Sequence, residues 1–142
     1  MSDAFDIMDM PRRFDIDLKA LHRRFIELSA ANHPDRFTDP LDQADAAERA
    51  AVINEAYRTL SDPERRAGAL LAVLGGAAKE DDKTLPPNLL MEMMEVRERM
   101  EEAIAEDDQA ALAELRAWAE QQRREHLDAT AKLFDEALDK RA

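Results

Sequence analysis

Apolar residues return along this chain at three- and four-residue intervals, the mark of helices that each bury one face. Leu18, Leu21, Phe25 and Leu28 form one such stripe, and Asp17 stands where a helix cap belongs. Pro34 stops that helix, because its ring lacks an N–H and pushes Asn32 and His33 toward extended backbone. Residues 36–42, with Pro40 among them, read as loop. A second helix follows, carrying Ala46, Ala50, Ile53, Ala56, Tyr57 and Leu60 along one side. Ser61-Asp62-Pro63 ends it and opens the next, with Asp62 as cap and Pro63 in the first helical position. This third helix is expected to bury Ala67, Leu70, Leu71 and Leu74 before Gly75-Gly76 terminates it. A short element around residues 7–10, stopped by Pro11, precedes them all.

Beyond residue 76 the period lapses. Residues 77–88 are charged in the middle and end in Pro86-Pro87 and Asn88, which reads as a linker. Two long helices then fit, from Pro87 to about Glu106 and from about Gln109 to Asp139, with Asp107-Asp108 as turn and cap. So short a connection makes them an antiparallel hairpin. At about 100° per residue, Leu89, Met93, Val96, Met100, Ala103 and Ile104 gather on one side of the first helix. They are expected to face Leu112, Leu115, Ala119 and Leu133 of the second. Leu127, Phe134 and Leu138 make a further stripe on the last helix, to be covered by the N-terminal helices, by another copy, or by nothing. Cover by another copy would make a weak homo-oligomer. The expected fold is all-α: a helical head (1–76), a linker (77–88) and a C-terminal helical hairpin (89–142).

Composition agrees. Hydrophobic residues reach 45% and charged residues 37%, but aromatics only 5%, and Val52, Val73 and Val96 are the only valines. Such a mixture starves a sheet of the β-branched and aromatic residues it packs with. The net charge of −12 argues against nucleic acid as the main partner. With no Cys there is no disulfide, no thiolate metal or cluster site and no cysteine nucleophile. His22, His33 and His126 make a poor metal set, and no cofactor is expected. No stretch approaches the roughly 20 apolar residues that cross a bilayer. The opening MSDAFDIMDM carries acids where a targeting peptide carries Lys and Arg, so a cytoplasmic protein with no membrane partner is expected.

Two places carry candidate chemistry. His33-Pro34-Asp35 sits between two amphipathic helices, and Lys19 and Arg23 project opposite the apolar stripe of the first, with Arg24 on its flank. On so acidic a chain a local cationic strip suits docking on an acidic partner surface. The plain alternative is a solvated face on which Glu27 balances Arg23 four residues earlier. A small acid–base enzyme using His33 and Asp35 is a rival reading, but no nucleophile, metal cluster or phosphate-cradling glycine loop accompanies them, so no catalysis is expected. The second place is the first hairpin helix, where Leu90, Met91 and Met94 group around a direction more than about 100° from the packing stripe, among Glu95, Glu98 and Glu101. Either they widen the buried face, or they form an exposed patch with an acidic rim, for which adaptable methionines are suited.

His33-Pro34-Asp35, taken with Asn54-Glu55-Ala56-Tyr57-Arg58-Thr59-Leu60-Ser61-Asp62-Pro63, resembles the J domain of the DnaJ co-chaperones over about residues 4–75. That resemblance implies a head that docks on a DnaK-type chaperone and triggers its ATP hydrolysis, with the tripeptide indispensable and Lys19, Arg23 and Arg24 steering the approach. Leu90-Met91-Glu92-Met93-Met94-Glu95-Val96-Arg97-Glu98 is similar to the Leu-Met-Glu-x-φ-Glu-φ-Arg-Glu segment (φ apolar) of the HscB family, with one extra apolar residue. Residues 10–17 and 33–37 also look like that family, the J-type co-chaperones of iron–sulfur cluster biogenesis. The implied partners are an HscA-type chaperone and an iron–sulfur scaffold protein. Leu90, Met91 and Met94 would contact the scaffold, with Glu95 and Glu98 on the rim. Family members usually continue into a third C-terminal helix, whereas here the last helix closes at about Asp139, and the Cys-based zinc extension of some eukaryotic members has no counterpart. A generic J-domain adaptor for another client is the alternative.

Overall fold

The computed structural model describes residues 2–76 and 83–141, so six residues of the expected linker lie outside the described ones. Among the described residues every regular element is helical: α1 (Ala4–Ile7), α2 (Leu18–Ala31), a 3-10 turn (Pro34–Arg36), α3 (Pro40–Ser61), α4 (Pro63–Val73), α5 (Pro87–Ala105) and α6 (Gln109–Asp139). None of these helices is long and apolar enough to cross a membrane. The described chain forms two compact units, one of residues 2–76 with 133–141, the other of residues 83–132.

In the first unit α2, α1 and α4 all pack on α3. Phe5, Met8, Leu21, Leu60 and Leu70 are fully buried, joined by Phe14, Ala46, Ile53 and Ala56. Local chemistry sets the ends of these helices. Asp17 accepts from the amides of Lys19 and Ala20, and Asp62 accepts from Arg65 with Pro63 at the first helical position. Gly75 takes φ +74°, the left-handed conformation that closes α4 without a Cβ penalty. Asp39 caps α3 by accepting from Leu41, so that helix begins at Pro40 and the expected loop over 36–42 is shorter. The first element is likewise earlier than expected, at Ala4–Ile7, because Asp3 and Asp6 form a reciprocal capping box.

Two expected core residues stand in water. Leu18, the first residue of α2, is 52% exposed, and Leu71 of α4 is 38% exposed. Of the three covers considered for the last stripe, Phe134 finds the N-terminal unit: its ring stacks on Phe14 at 5.8 Å. Arg66 lies over the Phe14 ring at 4.9 Å and donates to the Leu60 carbonyl at 2.7 Å. Its burial lowers the guanidinium pKa, against the pull of Asp15 and Asp62. Arg13 pairs with Asp135 at 3.7 Å and Arg141 donates to the Leu74 carbonyl, so the end of α6 is fastened to this unit by charge as well as by stacking.

The second unit is thinner. A three-residue turn, with Asp107 at φ +51° and the Asp108 amide donating to Ala103, joins α5 to α6 as a hairpin. Two helices can cover only one seam. Leu89, Val96 and Ala103 lie on it, while Met93 (50% exposed), Met100 (44%) and Ile104 (61%), turned some tens of degrees outward, stay exposed. On α6 the half-buried positions of this unit include Leu112, Leu115, Trp118 and Gln122, whereas Ala119 is exposed. Leu133, in the part of α6 that belongs to the first unit, is 66% exposed.

Asp3 gives this fold an acid-sensitive joint. Burial raises its pKa, but hydrogen bonds from the Asp6 amide and from Arg12 at 2.9 Å, with the Arg12 charge, outweigh that and hold it below the ordinary 3.8. A depressed carboxyl pKa means the folded state favours the ionised form, so this contribution is complete above pH 3.8 and fades as pH falls below it. Asp3→Asn keeps a capping side chain and loses the charge. Its melting temperature should lie below wild type at pH 7, and the gap should narrow as pH falls below 3.8; a gap that does not narrow would show that the ion pair contributes nothing.

Candidate functional site

The His-Pro-Asp sequence makes a single 3-10 turn. Pro34 sets φ for its first position, and the His33 and Pro34 carbonyls accept from the amides of Arg36 and Phe37 at 3.0 and 3.1 Å. The His33 side chain caps its own turn, Nδ1 accepting from the Asp35 amide at 3.2 Å. The Asp35 carboxylate is 3.7 Å from the same Nδ1, yet its side chain is 91% exposed and that of His33 is 60% exposed. The turn therefore presents a ring and a carboxylate to solvent on a stiff base, suited to contact with a partner surface.

The flanks of the turn are tied down. Asn32 donates through Nδ2 to the Leu28 carbonyl at 2.8 Å and accepts at Oδ1 from Arg49 Nε at 2.9 Å. The Arg49 guanidinium also stands 5.8 Å from the centre of the Phe37 ring. Gln43 donates to the Phe37 carbonyl at 2.7 Å, and Arg36 to the Ala30 carbonyl at 3.3 Å. Further back, the Tyr57 ring stacks on Phe25 at 4.2 Å, and its hydroxyl meets His22 Nδ1 at 3.2 Å. These contacts join α2 to α3 on both sides of the turn.

The structure separates the three basic residues of α2. Lys19 and Arg23 are exposed, and among the described residues neither has an ion-pair partner. Arg24 is half-buried on the flank, its Nη1 3.5 Å from Glu27 and its Nε buried without a partner. Glu27 thus serves Arg24, not Arg23. Ile26, 53% exposed, shares the Lys19/Arg23 side of α2 and was not among the expected site residues; the 100° step alone places it there.

On α5, Leu90 (57% exposed), Met91 (65%) and Met94 (64%) all stand in solvent. Met91, Met94, Glu95, Arg97, Glu98 and Glu101 line a shallow open hollow of about 580 Å³. Leu90 lies beside this hollow and does not line it. Arg97, absent from the expected site, enters it paired i,i+4 with Glu101 of the expected acidic surround at 3.0 Å, a spacing readable in the sequence. Among the described residues no group of three or more His, Asp or Glu is placed to hold a metal ion. Two methionines and four charged side chains line the hollow, a mixed surface suited to a protein contact.

Known proteins resemble both units. Residues 3–68 match the DnaJ domain family, and residues 85–142 match the family described as HSCB C-terminal oligomerisation domain. The co-chaperone protein HscB homologue of Bordetella petrii is 39% identical over 140 residues, covering 96% of this chain and 81% of the relative. That of Haemophilus influenzae is 36% identical over 116 residues, covering 79% and 67%. Among solved structures, human co-chaperone protein HscB superposes with a TM-score of 0.85 at 27% identity, over 96% of this chain and 69% of that one. Chaperone HscB from Vibrio cholerae gives 0.81 at 33% identity, over 97% and 84%.

Exposure makes the α5 patch testable apart from folding. Replacing Leu90, Met91 and Met94 together by Ala should leave helicity intact and shift stability by no more than about 0.5 kcal/mol per site. Circular dichroism and thermal melting check this; a collapsed melting curve would place these side chains in the core.

Proposed function

The chain belongs to the HscB family of J-domain co-chaperones, and from that premise we propose that it stimulates the ATPase of an HscA/DnaK-type chaperone and delivers to it an iron–sulfur cluster scaffold protein. The observation that carries this reading is the pairing, in one chain, of a stiff solvent-exposed His-Pro-Asp turn with a separate exposed apolar hollow. Residues 1–76 are assigned to chaperone docking, 77–88 to a linker and 89–142 to scaffold binding. His33, Pro34 and Asp35 make the trigger contact, while Lys19 and Arg23, with Arg24 behind them, supply positive charge for association with an acidic surface. Charges of that kind chiefly raise the association rate and make it salt-dependent.

Leu90, Met91 and Met94 supply the apolar contact to the scaffold and Glu95 and Glu98 its rim. Their exposure before binding supports this, because burying them against a partner removes apolar surface from water at roughly 25 cal/mol per Å². No catalytic step is assigned to this chain: the bond that breaks is in the nucleotide held by the chaperone. The cluster is cargo of the scaffold.

His33→Gln should abolish stimulation of ATP hydrolysis in a steady-state assay and leave scaffold binding unchanged. Loss of both together would refute the division of labour. Conversely, Ala at Leu90, Met91 and Met94 should weaken scaffold binding by at least about tenfold, the equivalent of ~1.4 kcal/mol, measured by titration calorimetry. If the unsubstituted chain stimulates the chaperone and binds no scaffold, it is an adaptor for another client.

A further inference from the structure

His33 and Asp35 point into solvent, so no packing of their own side chains fixes where the turn stands. The turn must be held by its neighbours, and one side chain reaches both of them. Arg49, two turns into α3, donates through Nε to Asn32, the residue before the turn, and sets its guanidinium by the ring of Phe37, the residue after it. Asn32 is in turn fastened to the last turn of α2 through the Leu28 carbonyl. Arg49 has carboxylates close by on its own helix, Asp45 four residues earlier and Glu48 beside it, and the three share the lining of one surface hollow. Among the described residues it nevertheless pairs with no acid; its interactions are with the two ends of the turn.

We propose that Arg49 is a positioning residue for the His-Pro-Asp turn, bracing residues 32 and 37 against α3 so that His33 and Asp35 meet the chaperone in a fixed geometry. This deepens the co-chaperone reading above and rests on it. Arg suits the task where Lys does not, because the guanidinium offers a directed Nε–H to an amide oxygen and a flat face to a ring at the same time. Arg49 is itself exposed, so its loss is felt at the turn and little in the core.

The test is a steady-state ATPase titration of an HscA/DnaK-type chaperone with the full chain and its variants. A disordered turn lowers the maximal stimulation at saturating co-chaperone, whereas loss of a steering charge raises the half-saturating concentration and does so less at high salt. Arg49→Ala is expected to lower the maximum about fivefold, the scale of one ordinary net hydrogen bond at an exposed site, with scaffold affinity unchanged. Arg49→Lys should stay low despite keeping the charge, and Asn32→Ala should reproduce the loss. The double variant should be no worse than the poorer single one, the signature of two groups acting as one unit. An unchanged maximum, full activity in Arg49→Lys, or a defect confined to the half-saturating concentration overturns the proposal. So does a variant that melts lower and loses scaffold binding along with stimulation, since Arg49 is then a general stability residue. If the unsubstituted chain gives no stimulation, the co-chaperone reading falls and the proposal with it; if it stimulates and Arg49→Ala does so equally, the proposal falls alone.

Discussion

A turn whose two distinctive side chains face water cannot be anchored through them, and the first unit is built around that constraint. The His-Pro-Asp turn gets its shape from Pro34 and from the His33 ring closing onto the Asp35 amide. Its place comes from α2 and α3, which are joined above it by the Phe25–Tyr57 stack and beside it by Asn32, Arg49, Phe37 and Gln43. Helix α3 is therefore the spine of the unit. It packs on α1, α2 and α4, and Ala46, Ile53, Ala56 and Leu60 line its buried side. Small residues at 46, 50 and 56 let the other helices approach closely, and this stiffness is inherited by a loop that has no core of its own.

Much of this frame is written in local chemistry. Asp17 and the Asp62-Pro63 pair announce helix starts, and Gly75 announces a stop, because each residue type satisfies a backbone need that its neighbours cannot. Asp39-Pro40 carries the same signature, masked by the polar stretch around it, which has no apolar period. Its capping role appears only once Asp39 accepts from the Leu41 amide. The burial of Phe5, Met8 and Phe14 was beyond reach for a different reason: a four-residue helix shows no period, and the partners of Phe14 lie far along the chain at Arg66 and Phe134. Periodicity reports which face of a helix is apolar. It does not report how wide a strip the rest of the molecule covers.

That limit is clearest on α5. Angular spacing correctly separated Leu90, Met91 and Met94 from the seam, and these side chains stand in water. The same spacing also counted Met93, Met100 and Ile104 as packed, yet the geometry of two helices covers only the line through Leu89, Val96 and Ala103. At the functional sites the residue types were legible while their pairings were not. Glu27 turns to Arg24 instead of Arg23, and Arg97 with Glu101 joins the hollow as an ion pair. Side-chain choice among several acids within reach is decided by distances that a helical wheel does not contain.

The unequal packing of the two units has a calorimetric meaning. The heat-capacity increase on unfolding follows the apolar surface newly exposed, and nearly all the fully covered apolar side chains lie in the first unit, with only Ala103 and Ala131 buried among the described residues of the second. Most of the curvature of stability with temperature thus belongs to the N-terminal helices. The hairpin, already half hydrated in its native state, adds little to that curvature.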